Sequence, residues 1–135
     1  MDETHARLLR TAFAAGAVTD ALAVIPLLSP PMAELLWGFA DPSGAYRFVM
    51  GYAATLMAGW TGLLIWAWRQ PVERSFVAAL TVGVIYGLAA TEIVAISSGA
   101  IAAWRVVPTF ALQAVLLGLF ATAYHYPQLR RFVAG

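Results

Sequence analysis

Four long apolar stretches, separated by short polar links, constrain this 135-residue chain more than any other feature. Phe48 to Trp68 contains no charge and would make about 30 Å of helix, the thickness of a bilayer's hydrocarbon core. Val106 to Tyr124 is likewise uncharged. A third stretch starts near Ser75, runs uncharged to Thr91, meets Glu92 and ends near Ser97. The first covers about Leu8 to Leu28, with Arg10 and Asp20 inside it. Only 11% of the residues are charged, against about a quarter in an ordinary soluble domain. A water-soluble core of this size could not hide so much apolar surface, whereas a bilayer does not require it to be hidden. The predicted fold is therefore an all-α integral membrane protein. It is a single four-transmembrane-helix bundle with spans at about 8–28, 48–68, 75–97 and 106–126.

Arg7 and Arg10 before the first apolar run resemble the start of a signal peptide. Asp20 interrupts that run, however, and Pro31-Met32-Ala33 is a poor cleavage site, so a retained span is expected. The link Arg69 to Arg74 is short enough to make the second and third spans antiparallel neighbours. Pro71 suits a first helical turn and Glu73 the positive end of a helix. The first link is longer. Ser29 and Pro30 can open a short helix over about 30–38, in which Met32, Leu35, Leu36 and Phe39 fall on one face. Such a helix between two spans is expected to lie flat on the membrane surface.

All eight basic residues are arginines, and their distribution predicts orientation. Arg7, Arg10, Arg69, Arg74, Arg130 and Arg131 share one side, and Arg47 and Arg105 the other. Both termini are accordingly expected in the cytoplasm, in a bacterial-type inner (plasma) membrane. The formal net charge of +1 and the absence of a polybasic run argue against a nucleic-acid partner. With no cysteine there is no disulfide, thiolate metal site or thiol nucleophile. No metal-ligand spacing is present and no cofactor is implied. His5 and His125 fall at the inner ends, away from the acids.

The chain also resembles itself. Pro71-Val-Glu-Arg-Ser-Phe-Val-Ala-Ala79 aligns with Pro127-Gln-Leu-Arg-Arg-Phe-Val-Ala-Gly135, and Ala17-Val-Thr-Asp20 with Ala89-Ala-Thr-Glu92. Tyr46-Arg47 and Trp104-Arg105 correspond in the same order. The expectation is a parallel two-fold internal repeat, with helices 1–2 and 3–4 related about the membrane normal. Alanine- and valine-rich spans also match by chance.

Ionisable residues inside a span cost about 2.5–3.5 kcal/mol at its centre, so they usually face protein or water. Asp20 and Glu92 each lie one to two turns below the outer end of their helix, and Arg47 and Arg105 open spans two and four on that same side. Two readings follow: a pair of structural ion pairs, or a polar site in the outer half of the bundle for a small solute or ion. Thr55, Tyr86 and Gln113, with Tyr52 and Thr91, lie at depths where they could line such a site, although each alone is more simply a satisfied hydrogen bond. Trp60, in mid-span, is either ordinary packing or an aromatic wall for a cationic or lipid-like ligand. Small residues recur four apart, including Gly51 and Gly59 in span two, Gly83 and Gly87 in span three, and Gly118 in span four. Packing within the bundle is their default use, and a homodimer or larger membrane complex the alternative.

Three functions survive this reading. The first is binding or transport of a small solute or ion at the Asp20, Glu92, Arg47, Arg105 group. The second is an accessory subunit with closed ion pairs. The third is a membrane enzyme or binder acting on a lipid-like substrate, with an acid as proton donor beside Trp60. The third is weakest because no acid, base and nucleophile converge.

Overall fold

The computed structural model describes residues 3–40 and 43–134, and within them the only regular secondary structure is helix. The order is α1 (Glu3–Leu28), α2 (Pro30–Trp37), α3 (Gly44–Arg69), α4 (Phe76–Ser97) and α5 (Ala103–Ala134). Four of these, all but α2, are long and apolar enough to cross a membrane, so this is an integral membrane protein by length and composition. Each satisfies its backbone internally, which is what hydrocarbon demands of a spanning segment.

Local chemistry sets the breaks. α1 stops where Ser29-Pro30-Pro31 follows, because proline disfavours helical geometry in the residue before it and lacks an N–H. α2 starts on that proline and ends at Gly38, whose left-handed φ of 80° lets its N–H return to the carbonyl of Glu34. Ser29 occupies the N-cap of α2, but its side chain makes no capping bond. Its carbonyl instead accepts from the N–H groups of Met32 and Ala33. The hydroxyl of Ser43 accepts from the N–H of Tyr46 and starts α3. Between α3 and α4, the guanidinium of Arg74 folds back over the Trp66 ring, 3.7 Å from its centroid. It also donates to the Trp66 carbonyl and the Gln70 side chain. α4 ends in Ser98-Gly99, with Gly99 at φ 74°.

α1 lies at the centre. It packs against both α3 and α5, which converge at Gly16, and α4 packs mainly against α5. The core combines Leu9, Ala12, Phe13 and Ala17 of α1 with Leu64 and Ala67 of α3. Val77, Ala78 and Ile85 of α4 and Leu116, Phe120 and Ala123 of α5 complete it. Gly16 is the tightest point. A β-carbon there would lie 2.9 Å from Phe120 Cζ and 3.1 Å from Leu64 Cδ1.

The expectation that spans two and three are packed neighbours needs correction. α3 and α4 are joined by the short link but scarcely touch, and the buried residues of α4 (Val77, Ala78, Thr81, Ile85) all lie in its first half. Lipid tails are as apolar as leucine, so no hydrophobic penalty forces two linked spans together, and each packs where shape allows. The closest repeat segments also differ locally. Residues 71–75 form a turn, whereas Pro127 lies inside α5, which continues to Ala134.

Candidate polar layer in the bundle

Gly16 fixes the relative heights of three helices. One turn further along α1 is Asp20, and one turn back along α3 from Leu64 is Trp60. On α5, the Gly16 and Phe13 contacts to Phe120 put Asp20 at the height of Gln113 to Leu116. Gln113 is buried, and its Nε2 donates to Glu92 Oε1 of α4 at 3.1 Å. Asp20, Trp60, Glu92 and Gln113 therefore occupy one layer, contributed by all four spans.

In that layer unpaired acceptors outnumber the unpaired donors, which are Trp60 Nε1–H and the second N–H of Gln113. Glu92 Oε2 and Gln113 Oε1 are both shielded from solvent and have no hydrogen-bond partner, and the same holds for Trp60 Nε1. Gln113 can donate two N–H bonds but has only one acceptor here. An ionised Glu92 can donate none. Asp20, half-buried, makes no hydrogen bond or ion pair among the described residues. A buried polar group without a partner costs about 1–3 kcal/mol, so the layer holds unspent capacity for a bound group that donates or is positively charged.

The two arginines do not reach it. Arg47 lies 13 residues above Trp60 on α3, about 20 Å of helix, and Arg105 lies 8 residues above Gln113 on α5, about 12 Å. Among the described residues neither forms an ion pair with an acid; the ion pair that does form is Arg7–Glu3, within one turn of α1. The proposed acid–arginine group is thus two separate features. α3 and α5 run well past the heights of Pro26 and Ser97, so arginines that open these helices stand above the acids. Arg105 has a structural task. Its Nη1 donates to the carbonyls of Glu34 at 3.1 Å and Leu35 at 3.0 Å, tying α2 to α5. Its guanidinium lies 3.3 Å from where a β-carbon of Gly38 would stand. Arg47 is exposed.

The remaining candidates fall outside the layer's lining. Thr55 is exposed, and its hydroxyl donates to the Gly51 carbonyl one turn earlier. Thr91 does the same toward Gly87, and Tyr86 and Tyr52 are largely exposed. The glycine stripes are not the packing surface within one chain. A β-carbon added at Gly51, Gly59, Gly83, Gly87 or Gly118 would meet nothing within 4 Å. The close approach belongs to Gly16, in a span whose small residues at 12, 16 and 17 around Phe13 carried the signal. At the end of the bundle where α1 begins, the His5 ring stacks on Tyr126 of α5. Among the described residues no three His, Asp or Glu side chains are grouped to hold a metal.

No family model, curated protein or solved structure matches this chain.

Proposed function

We propose that this protein binds, and carries across or senses within the membrane, a small cation held by the Asp20, Glu92, Gln113 and Trp60 layer. The observation that carries this reading is the Glu92–Gln113 hydrogen bond, which leaves Glu92 Oε2 and Gln113 Oε1 shielded and without donors at the height of a second acid. Two carboxylates and an amide oxygen outnumber the donors there. A proton, a metal cation or an organic ammonium supplies the missing positive charge, and the face of Trp60 suits the last of these. The arginines have no part in this site, so its formal charge is set by the two acids alone.

In this reading both termini are cytoplasmic, following the arginine distribution, and α2 rests on the outer surface of a bacterial-type inner membrane. Its exposed Met32, Leu35 and Leu36 agree with that placement. A duplication of helices 1–2 as 3–4 accounts for two sequence-matched acids at one height. Under such a two-fold the α1–α5 seam has its counterpart in the α3–α4 seam. The first is packed and the second open, so a path from the lipid to the layer would run between α3 and α4.

The test is uptake into, and binding by, purified protein in liposomes. Its probes are Na⁺, K⁺, methylammonium and tetramethylammonium, with and without a pH gradient. The expected result is saturable uptake or binding of at least one probe that is lost in Glu92→Gln and in Asp20→Asn and kept in Arg47→Gln. Equal behaviour of wild type and the Asp20→Asn, Glu92→Gln double variant across the panel sinks the proposal. The accessory-subunit reading is the second choice. It is favoured by the unfilled glycines on α3 and α4, which a partner's helix would cover. The third reading, a lipid-directed enzyme, shares the open seam but lacks a convergent set of acid, base and nucleophile.

A further inference from the structure

Arg47, left without a role by the polar layer, stands in a second place built to hold something. At the outer end of the bundle a groove of about 430 Å³ runs between the end of α1, the start of α2 and the start of α3. It is lined by Leu27, Leu28, Pro30, Met50 and Gly51, with Tyr46 and Arg47 as its polar members. The Arg47 side chain makes no ion pair or hydrogen bond among the described residues, and the Tyr46 hydroxyl is shielded from solvent with no partner. Among the described residues no acid lines the groove, and Arg47 is its one charged member.

We infer that this groove is a binding site for one anionic phospholipid. Its phosphate would be held by the Arg47 guanidinium, and the first part of an acyl chain would lie on Leu27, Leu28, Met50 and Gly51. Three features select a lipid over a free anion. The lining is mostly apolar, which a hydrated inorganic ion cannot use. The groove sits where the spans end, the depth at which lipid phosphates lie. One guanidinium matches a single phosphate diester, since guanidinium presents a planar fork to phosphate oxygens. The site is distant from the polar layer: Arg47 is 13 residues, about 20 Å, along α3 from Trp60. It therefore stands or falls independently of the cation proposal.

The Gly51 position gives a clean probe, because a β-carbon there meets nothing within 4 Å and a larger side chain grows into the groove without displacing protein. The experiment is native mass spectrometry of the full chain released from detergent containing phosphatidylglycerol, phosphatidylcholine or inorganic phosphate. Wild type, Arg47→Gln, Tyr46→Phe and Gly51→Leu are compared, and circular dichroism verifies that each folds. The expected result is one retained phosphatidylglycerol on wild type, bound about ten-fold more weakly by Arg47→Gln and Gly51→Leu, and as well by Tyr46→Phe as by wild type. Phosphatidylcholine should be retained less than phosphatidylglycerol, and millimolar phosphate should not displace the lipid. Equal retention by wild type and Arg47→Gln overturns the inference. So does equal retention of the two lipids, or displacement by phosphate, which would mark a free-anion site. Should Arg47→Gln fail to fold, Gly51→Leu alone decides, since unchanged retention there refutes occupancy of the groove.

Discussion

Replacing Gly16 with leucine should destabilise the bundle far more than the same change at Gly87, although Gly87 belongs to the more conspicuous small-residue stripe. At Gly16 even the first added carbon would lie 2.9 Å from Phe120 Cζ and 3.1 Å from Leu64 Cδ1, closer than van der Waals contact. Neither neighbour can swing aside, because both are fully buried and Phe120 is held against Phe13 at a 5.9 Å ring separation. Overpacking of this kind costs about 1–3 kcal/mol, and a leucine, with three further carbons, belongs at the upper end. Removing a helical glycine recovers about 1 kcal/mol at either position. Gly16→Leu should therefore lose roughly 2 kcal/mol or more, while Gly87→Leu, with open space around it, should be neutral or gain up to about 1 kcal/mol. The assay is SDS titration in mixed micelles, followed by tryptophan fluorescence with circular dichroism alongside. A double-mutant cycle adds a test. Phe120→Leu should restore part of the loss caused by Gly16→Ala, with a coupling of about 1 kcal/mol. Equal midpoints for Gly16→Leu and Gly87→Leu would refute the packing argument, as would independent effects of Gly16→Ala and Phe120→Leu.

Gln113→Leu removes the donor to Glu92 and should cost about 1–3 kcal/mol in the same assay; Glu92→Leu combined with Gln113→Leu should return close to wild type, because interhelical hydrogen bonds in membranes average only about 0.6 kcal/mol. If the double variant is the less stable of the two, the pair is more than a local satisfaction of polar groups. Arg105→Ala should release the C-terminal turn of α2 while leaving the spans intact, read as faster hydrogen exchange and protease cutting confined to about residues 30–40. Uniform loss of protection across α1 and α5 would contradict that local role. In this chain without native cysteine, Gly87→Cys should react with a lipid-soluble maleimide and Gly16→Cys should not. Protection at position 87 would mean that a second chain covers the α4 face.

Much of this molecule was legible from sequence because a span must meet its own backbone needs. Phe48 to Trp68 has no choice in hydrocarbon but to be helical, whatever its neighbours do. Ser29-Pro30-Pro31 likewise dictates the break before α2, and the short helix is where its caps place it. The presence of Asp20, Glu92 and Gln113 within spans, and hence a polar interior, follows from the same reasoning. Gln113 meeting Glu92 does not, because their contact depends on how α4 and α5 are rotated and offset.

Height and rotation were what the sequence left open, and both correct the site. Arg47 and Arg105 open their helices on the same side as the acids, yet α3 and α5 rise past the end of α4, so the charges are separated by turns of helix rather than joined. The glycine stripes follow a similar logic. Gly59, Gly83 and Gly87 repeat at helical spacing, but only a neighbour of the right shape turns spacing into contact, and Gly16 has Phe120 and Leu64 where the others have nothing. Sequence by itself determined four helices long and apolar enough to cross a membrane, with acids inside them, since that follows from hydrogen bonding and transfer energy residue by residue. Tertiary structure alone decided which helices touch and which acids find partners. Among apolar helices in an apolar solvent, the energy differences between pairings come from close packing and a few polar contacts, which composition and periodicity do not record.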